Sequence, residues 1–168
     1  MSILDPYLLS LAVIATLGSG LVAGLLFAFS TAVMKALAQL PPEQGMKAMQ
    51  HINVIILNPL FLCIFLGTAL VSAALAMGGL LRLHAPGSFW MLAGAAFYLI
   101  GTFGVTLAVN VPLNNRLASA DVAAVESPSL WSAYIDKWLR WNHLRTVMGS
   151  LATVAFTLAA MHLHDSGL

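Results

Sequence analysis

The sequence predicts an all-α fold: an integral membrane antiparallel four-helix bundle, one domain over residues 1–168, with helices extending beyond the membrane on the cytoplasmic side. Three observations predict it. Hydrophobic residues make up 60% of the 168 and charged residues only 8%, and the mean hydropathy of +0.92 lies far above that of a soluble domain. Four charge-free intervals, Pro6 to Met34, Ala48 to Leu81, Leu83 to Asn115 and Thr146 to His164, carry the apolar residues. Each can supply the about 20 residues that cross roughly 30 Å of hydrocarbon as a helix. Finally, Lys35, Lys47, Arg116, Lys137, Arg140 and Arg145 fall on one side of these spans and Arg82 alone on the other. The positive-inside rule then puts both termini away from the cytoplasm and the 116–128 loop within it, as in a bacterial inner membrane.

The first span, about residues 7–34, contains "GSGLVAG", where Gly20 and Gly24 share one helix face and suit close packing or pairing of copies into a homo-oligomer. Its start, "MSILDPY", has Asp5 and no Lys or Arg, which does not fit a secretory signal, so the segment is expected to be retained. "LPPEQG" breaks the helix at Pro41 and Pro42, with Gly45 closing the loop. The second span, about 46–81, contains Pro59, which lacks an N–H and clashes with the Ile55 carbonyl, predicting a bend near Asn58. Cys63 lies in its apolar run and reads as a buried small hydrophobe. After "RLHAPGS" comes the third span, about 88–111, which Pro112 bends or ends. The polar stretch from Arg116 to Pro128 is a loop, and the fourth helix runs over about 129–161. On that helix Trp131, Tyr134, Trp138, Trp141, Asn142 and Arg145 recur at helical spacing, a stripe for a membrane interface or a partner helix.

With this topology, His51, Asn53 and Asn58, then Asn110, Asn114 and Asn115, then Asn142, His143 and Arg145 fall at one depth on the cytoplasmic side. Such groups are costly near hydrocarbon and usually face a bundle interior, a cavity or one another. Three readings compete. The asparagines can satisfy carbonyls freed by Pro59 and Pro112, with tryptophans forming an aromatic belt. Alternatively, carboxamides from three segments with Arg145, His51 and His143 can ring a pocket for a flat aromatic ligand. Or His51 or His143 can take a proton while Arg145 and an Asn amide stabilise the resulting oxyanion. Helical geometry qualifies the last, because His143 lies about 100° from Asn142 and about 200° from Arg145 around the axis.

Other chemistries are disfavoured. A net charge of +1 without a basic stripe argues against a nucleic-acid partner. Metal binding lacks support, since no Asp, Glu or Cys stands at ligand spacing beside His51 or His143, and a gathering of His84, His162 and His164 needs positions on different helix sides. No phosphate cradle, nucleophile elbow or zinc helix motif is visible.

"MQHINVIILNPLF" (Met49 to Phe61), "NVPLNNRLA" (Asn110 to Ala118) and "WLRWNHLRT" (Trp138 to Thr146), set on four apolar spans, resemble the anthrone oxygenase family of small four-helix membrane proteins. The resemblance covers nearly the whole chain and implies more about fold than about activity, because it is some fungal members that oxidise anthrones to anthraquinones. It implies molecular oxygen as co-substrate with no metal or flavin cofactor, and the lipid bilayer and a small aromatic ligand as partners. Carried onto this chain, His143 or His51 would be the base, and Arg145 with Asn142 would hold the enolate oxygen. Asn53, Asn58, Asn110 and Asn114 would shape the polar end, and Trp138 and Trp141 the aromatic wall.

Overall fold

A computed structural model of the chain describes residues 5–165. Among these the fold is all-α, with five helices: α1 Asp5–Ala38, α2 Pro42–Ile55, α3 Pro59–Leu81, α4 Ser88–Ala118 and α5 Ser127–Asp165. Four of them, all but α2, are long and apolar enough to cross a membrane. They pack as a ring in which α1 touches α3 and α5, and α4 touches the same two. Neighbours run in opposite directions: Ser19 meets Thr153 and Leu26 meets Asn142 between α1 and α5, and Gly94 faces Phe156 and Gly101 faces Met148 between α4 and α5.

Helix length decides the layering. At 1.5 Å per residue α3 is about 35 Å long, whereas α5 reaches about 58 Å. The long helices therefore outrun α3 at one end, and α2 takes its place there. Two buried clusters result. One, built around Leu75, Met91, Tyr98 and Phe156, lies among the four long helices. The other, Met34, Met46, Met49, Leu117, Trp131, Tyr134 and Trp138, is shared by α2 and the ends of α1, α4 and α5. At the opposite end Asp5 of α1 pairs with Arg82, just past α3.

The helix boundaries depart from the sequence reading at the prolines. The predicted 46–81 span is two helices. Pro42 opens α2 in its first turn, where a missing N–H costs nothing, so Gly45 lies inside the helix and not in a loop. Its role is steric, because a Cβ there would stand 2.9 Å from the Leu37 carbonyl and 2.9 Å from the Trp131 ring. At Pro59 the helix breaks rather than bends: Asn58 turns extended, accepts the Phe61 N–H and donates to the Ile55 carbonyl, so α3 starts afresh with a side-chain cap. Pro112 does the reverse. The 88–111 helix continues to Ala118 because Thr106–Asn110 is a widened π turn in which the Val111 N–H reaches back to the Thr106 carbonyl. The wide turn relieves the contact of a proline ring with the preceding turn.

Side-chain facing brings two more corrections and decides between the two expectations for the aromatic stripe. Cys63 is exposed on α3, not buried. The closest glycine contact on α1 is at Gly18, whose Cβ position is filled by Thr68 of α3, whereas Gly20 stands at van der Waals distance from Thr153 of α5 and Gly24 has open space around it. Of the aromatic stripe on α5, Trp131, Tyr134 and Trp138 are buried against the partner helices, so the stripe faces inward.

Candidate functional site

A cavity of about 500 Å³ lies where the two cores meet. Its floor is α1 and α5, with Leu26, Phe29, Trp138 and Arg145. Its sides are Asn53 of α2 and Thr106 and Asn114 of α4. Phe29 and Thr106 both belong to π turns, Phe29–Val33 and Thr106–Asn110, which insert an extra residue per turn beside the cavity. Phe29 and Trp138 stack obliquely with centroids 5.7 Å apart and form an aromatic wall.

Arg145 dominates the polar end. The side chain is only 5% exposed. Its guanidinium donates to Thr106 Oγ1 at 3.1 Å and to Asn142 Oδ1 at 2.7 Å, and lies 5.3 Å over the Trp138 ring. Those are dipoles and a π face, not an anion. The ion pairs among the described residues are Lys47–Glu43, Arg82–Asp5 and Arg140–Asp136, and none reaches Arg145. Among the described residues its Nε–H has no acceptor, and the buried Nδ2 of Asn53, whose neighbour is the Tyr134 hydroxyl, lies outside hydrogen-bond geometry with any acceptor. Removing a charge from water costs several kcal/mol, and a charged hydrogen bond returns about 1.5–3 kcal/mol. The cavity thus offers a cation and two unfilled N–H donors to an acceptor that the protein does not supply.

Two asparagines hold this arrangement in place. Asn142, fully buried, donates to the Leu26 carbonyl and to Ser30 Oγ, both at 2.8 Å, which orients its Oδ1 toward Arg145. Asn114 Oδ1 accepts both the Tyr134 hydroxyl and the Trp138 indole N–H at 2.9 Å, fixing the aromatic wall.

The sequence-selected residues therefore divide. Asn53, Asn114, Trp138 and Arg145 line the cavity, with Asn142 directly behind Arg145. Asn110 is buried outside the lining, with its amide 3.4 Å from the Trp138 carbonyl. Asn58 is exposed and caps α3. Trp141 is half-buried and does not contribute to the lining. His51 and His143 are both exposed, and the His51 ring contacts the Lys47 carbonyl one turn back. His84, His162 and His164 are exposed as well, and among the described residues no group of three or more His, Cys, Asp or Glu comes together.

Thr106 and Gln50 are site residues that the sequence reading did not select. Thr106 had a signal: Thr102, Thr106 and Asn110 recur every four residues, a polar stripe on an otherwise apolar helix, and Thr102 and Thr106 both hydrogen-bond Arg145. Gln50 donates to the Leu117 and Ala120 carbonyls at 2.8 and 3.3 Å, tying α2 to the end of α4.

Comparison with known proteins agrees with the three motifs. The sequence profile described as anthrone oxygenase matches residues 56–161, which include α3, α4 and most of α5. Two of the motifs, Asn110 to Ala118 and Trp138 to Thr146, lie wholly inside that match, and the first straddles its start. No curated protein and no solved structure matches the chain significantly.

Proposed function

The chain belongs to the anthrone oxygenase family, and from that premise we propose that it is a membrane-embedded, cofactor-independent oxygenase acting on an anthrone- or phenol-like aromatic. The observation that carries the reading is the buried Arg145 cation, which faces a cavity without a carboxylate partner. An enolate or phenolate oxygen provides the missing charge and accepts the free Arg145 Nε–H and Asn53 Nδ2–H. A fixed cation next to an oxygen favours its ionised form. Since no His, Asp or Glu lines the cavity, the proton of the ring C–H leaves to water, and Arg145 acts by lowering the acidity barrier rather than by taking the proton.

The enolate is electron-rich and gives one electron to molecular oxygen; recombination at the ring carbon yields a hydroperoxide, which loses water to give the quinone. One anthrone and one oxygen molecule become one anthraquinone and one water, so no further reductant is required. Phe29 and Trp138 suit a flat ring system, and a volume of about 500 Å³ is within the range of small-molecule pockets. The bilayer is the surrounding solvent, with the α2 layer on the cytoplasmic side, where five of the seven Lys and Arg residues lie outside the core.

The test uses the full chain in vesicles with emodin anthrone. Oxygen uptake should equal quinone formation, Arg145→Gln should lower kcat by about 100-fold, and His51→Gln and His143→Gln should leave it within about twofold. Absence of turnover above the spontaneous background across a panel of anthrones overturns the reading. A second reading, a carrier that binds the anion without oxidising it, is favoured by the lack of any imidazole or carboxylate in the lining. It predicts ligand-dependent thermal stabilisation with no oxygen uptake.

A further inference from the structure

We propose that the Arg145 cavity is filled sideways from the bilayer, through a mouth between the C-terminal end of α2 and α4, so that its ligands are lipid-dissolved polycyclic aromatics with one ionisable oxygen. This rests on the reading of the cavity as the site of such an anion.

The two sides of the cavity rim differ in polarity. The deep end holds Arg145 and Trp138, each 5% exposed. Toward the end of α4 the exposed lining includes Asn115 and Ala118. Toward the end of α2 the rim is aliphatic: Val54 and Leu57 line the cavity yet are 73% and 60% exposed. They continue into Ile55 and Leu60, 70% and 72% exposed, so the rim merges with an apolar surface that has no protein cover. Acyl chains are the medium in which such a surface costs nothing, and on the long helices next to it Leu70 and Ile100 are exposed in the same way.

The polar side of the same gap is strapped. Gln50 spans from α2 to the Leu117 and Ala120 carbonyls at the end of α4. Access from the aqueous side must therefore pass the half-buried Gln50 bridge, whereas access from the apolar side passes Val54, Leu57 and Val111. The turn beside the mouth is also self-contained. Its hydrogen bonds, Ile56 to Ile52, Leu57 to Val54, Phe61 to the Asn58 side chain, Leu62 to the Asn58 carbonyl and Asn58 to Ile55, all begin and end within residues 52–62. It can shift to admit a ring system without breaking a bond to α1, α4 or α5.

The test places a bulky group at each side of the gap. Leu57→Cys and Ser119→Cys, both exposed, the second outside the cavity lining, and each in a Cys63→Ser background, are modified with pyrene maleimide in vesicles, and emodin binding is followed by stopped flow. Modification at Leu57 should slow association and dissociation together by about tenfold, because an obstructed passage changes both rates and not their ratio. Modification at Ser119 should leave both unchanged. Slowing at Ser119, alone or together with Leu57, or slowing at neither, overturns sideways filling while the anion-site reading stands. If unmodified protein shows no saturable emodin binding that Arg145→Gln removes, both readings fall.

Discussion

A guanidinium buried beside aromatic rings and hydroxyls, with no carboxylate in reach, is held at a cost that only a bound anion offsets in full. That makes the charge of the cavity wall, rather than its shape, the sensitive variable. Asn53→Asp removes a donor that has no partner and puts an anion into the same cavity as Arg145. Emodin affinity should fall at least about tenfold, since the carboxylate competes for the cation, while thermal stability should hold or rise; unchanged affinity in a titration would count against the anion site. Side-chain identity made Arg145, Asn142, Asn53, Asn114 and Trp138 legible in the sequence, because polar and aromatic groups amid apolar spans stand out. His51, His143 and Trp141 stood out equally and lie outside the lining. Composition registers a costly group but not its direction, and a rotation of one residue, about 100°, moves a side chain from cavity to surface.

Helix contacts depend on where backbones come close. On α1 the pair Gly20 and Gly24 looked like the packing face, yet Gly18 is the residue pressed on its neighbour, against a β-branched Thr68 whose hydroxyl already donates to the Ile64 carbonyl. Gly18→Ala should therefore cost about 1–3 kcal/mol of stability from overpacking. Gly24→Ala, with nothing within 4 Å of the new methyl, should be neutral or slightly stabilising through helix propensity. Thermal unfolding of the two variants in one detergent distinguishes them. The two prolines give the same lesson at the backbone. Pro59 and Pro112 carry an identical local penalty, but one lies beside an Asn able to cap a new helix and the other follows a π turn that absorbs the ring, so one breaks its helix and the other does not. Sequence reading located both sites of stress without deciding the response.

At the scale of the molecule, two stacked cores share α1, α4 and α5, and the replacement of α3 by α2 between them opens the cavity. On the proposed membrane reading, the basic residues give the assembly a direction across a bilayer. In a Cys63→Ser background, Pro86→Cys should react with an impermeant maleimide added from outside, and Ser119→Cys should react only after permeabilisation; the opposite pattern would invert the topology. The sequence by itself determined the number of apolar spans, the end at which charge collects and the family, because hydropathy and charge are sums over neighbouring residues and the motifs are read in order along the chain. Only the tertiary structure decided that Arg145 has no counterion among the described residues, that Asn142 stands behind it and that both candidate histidines face outward. Those outcomes depend on helix rotation, which contacts between residues far apart in sequence fix, such as Leu26 with Asn142, 116 positions apart.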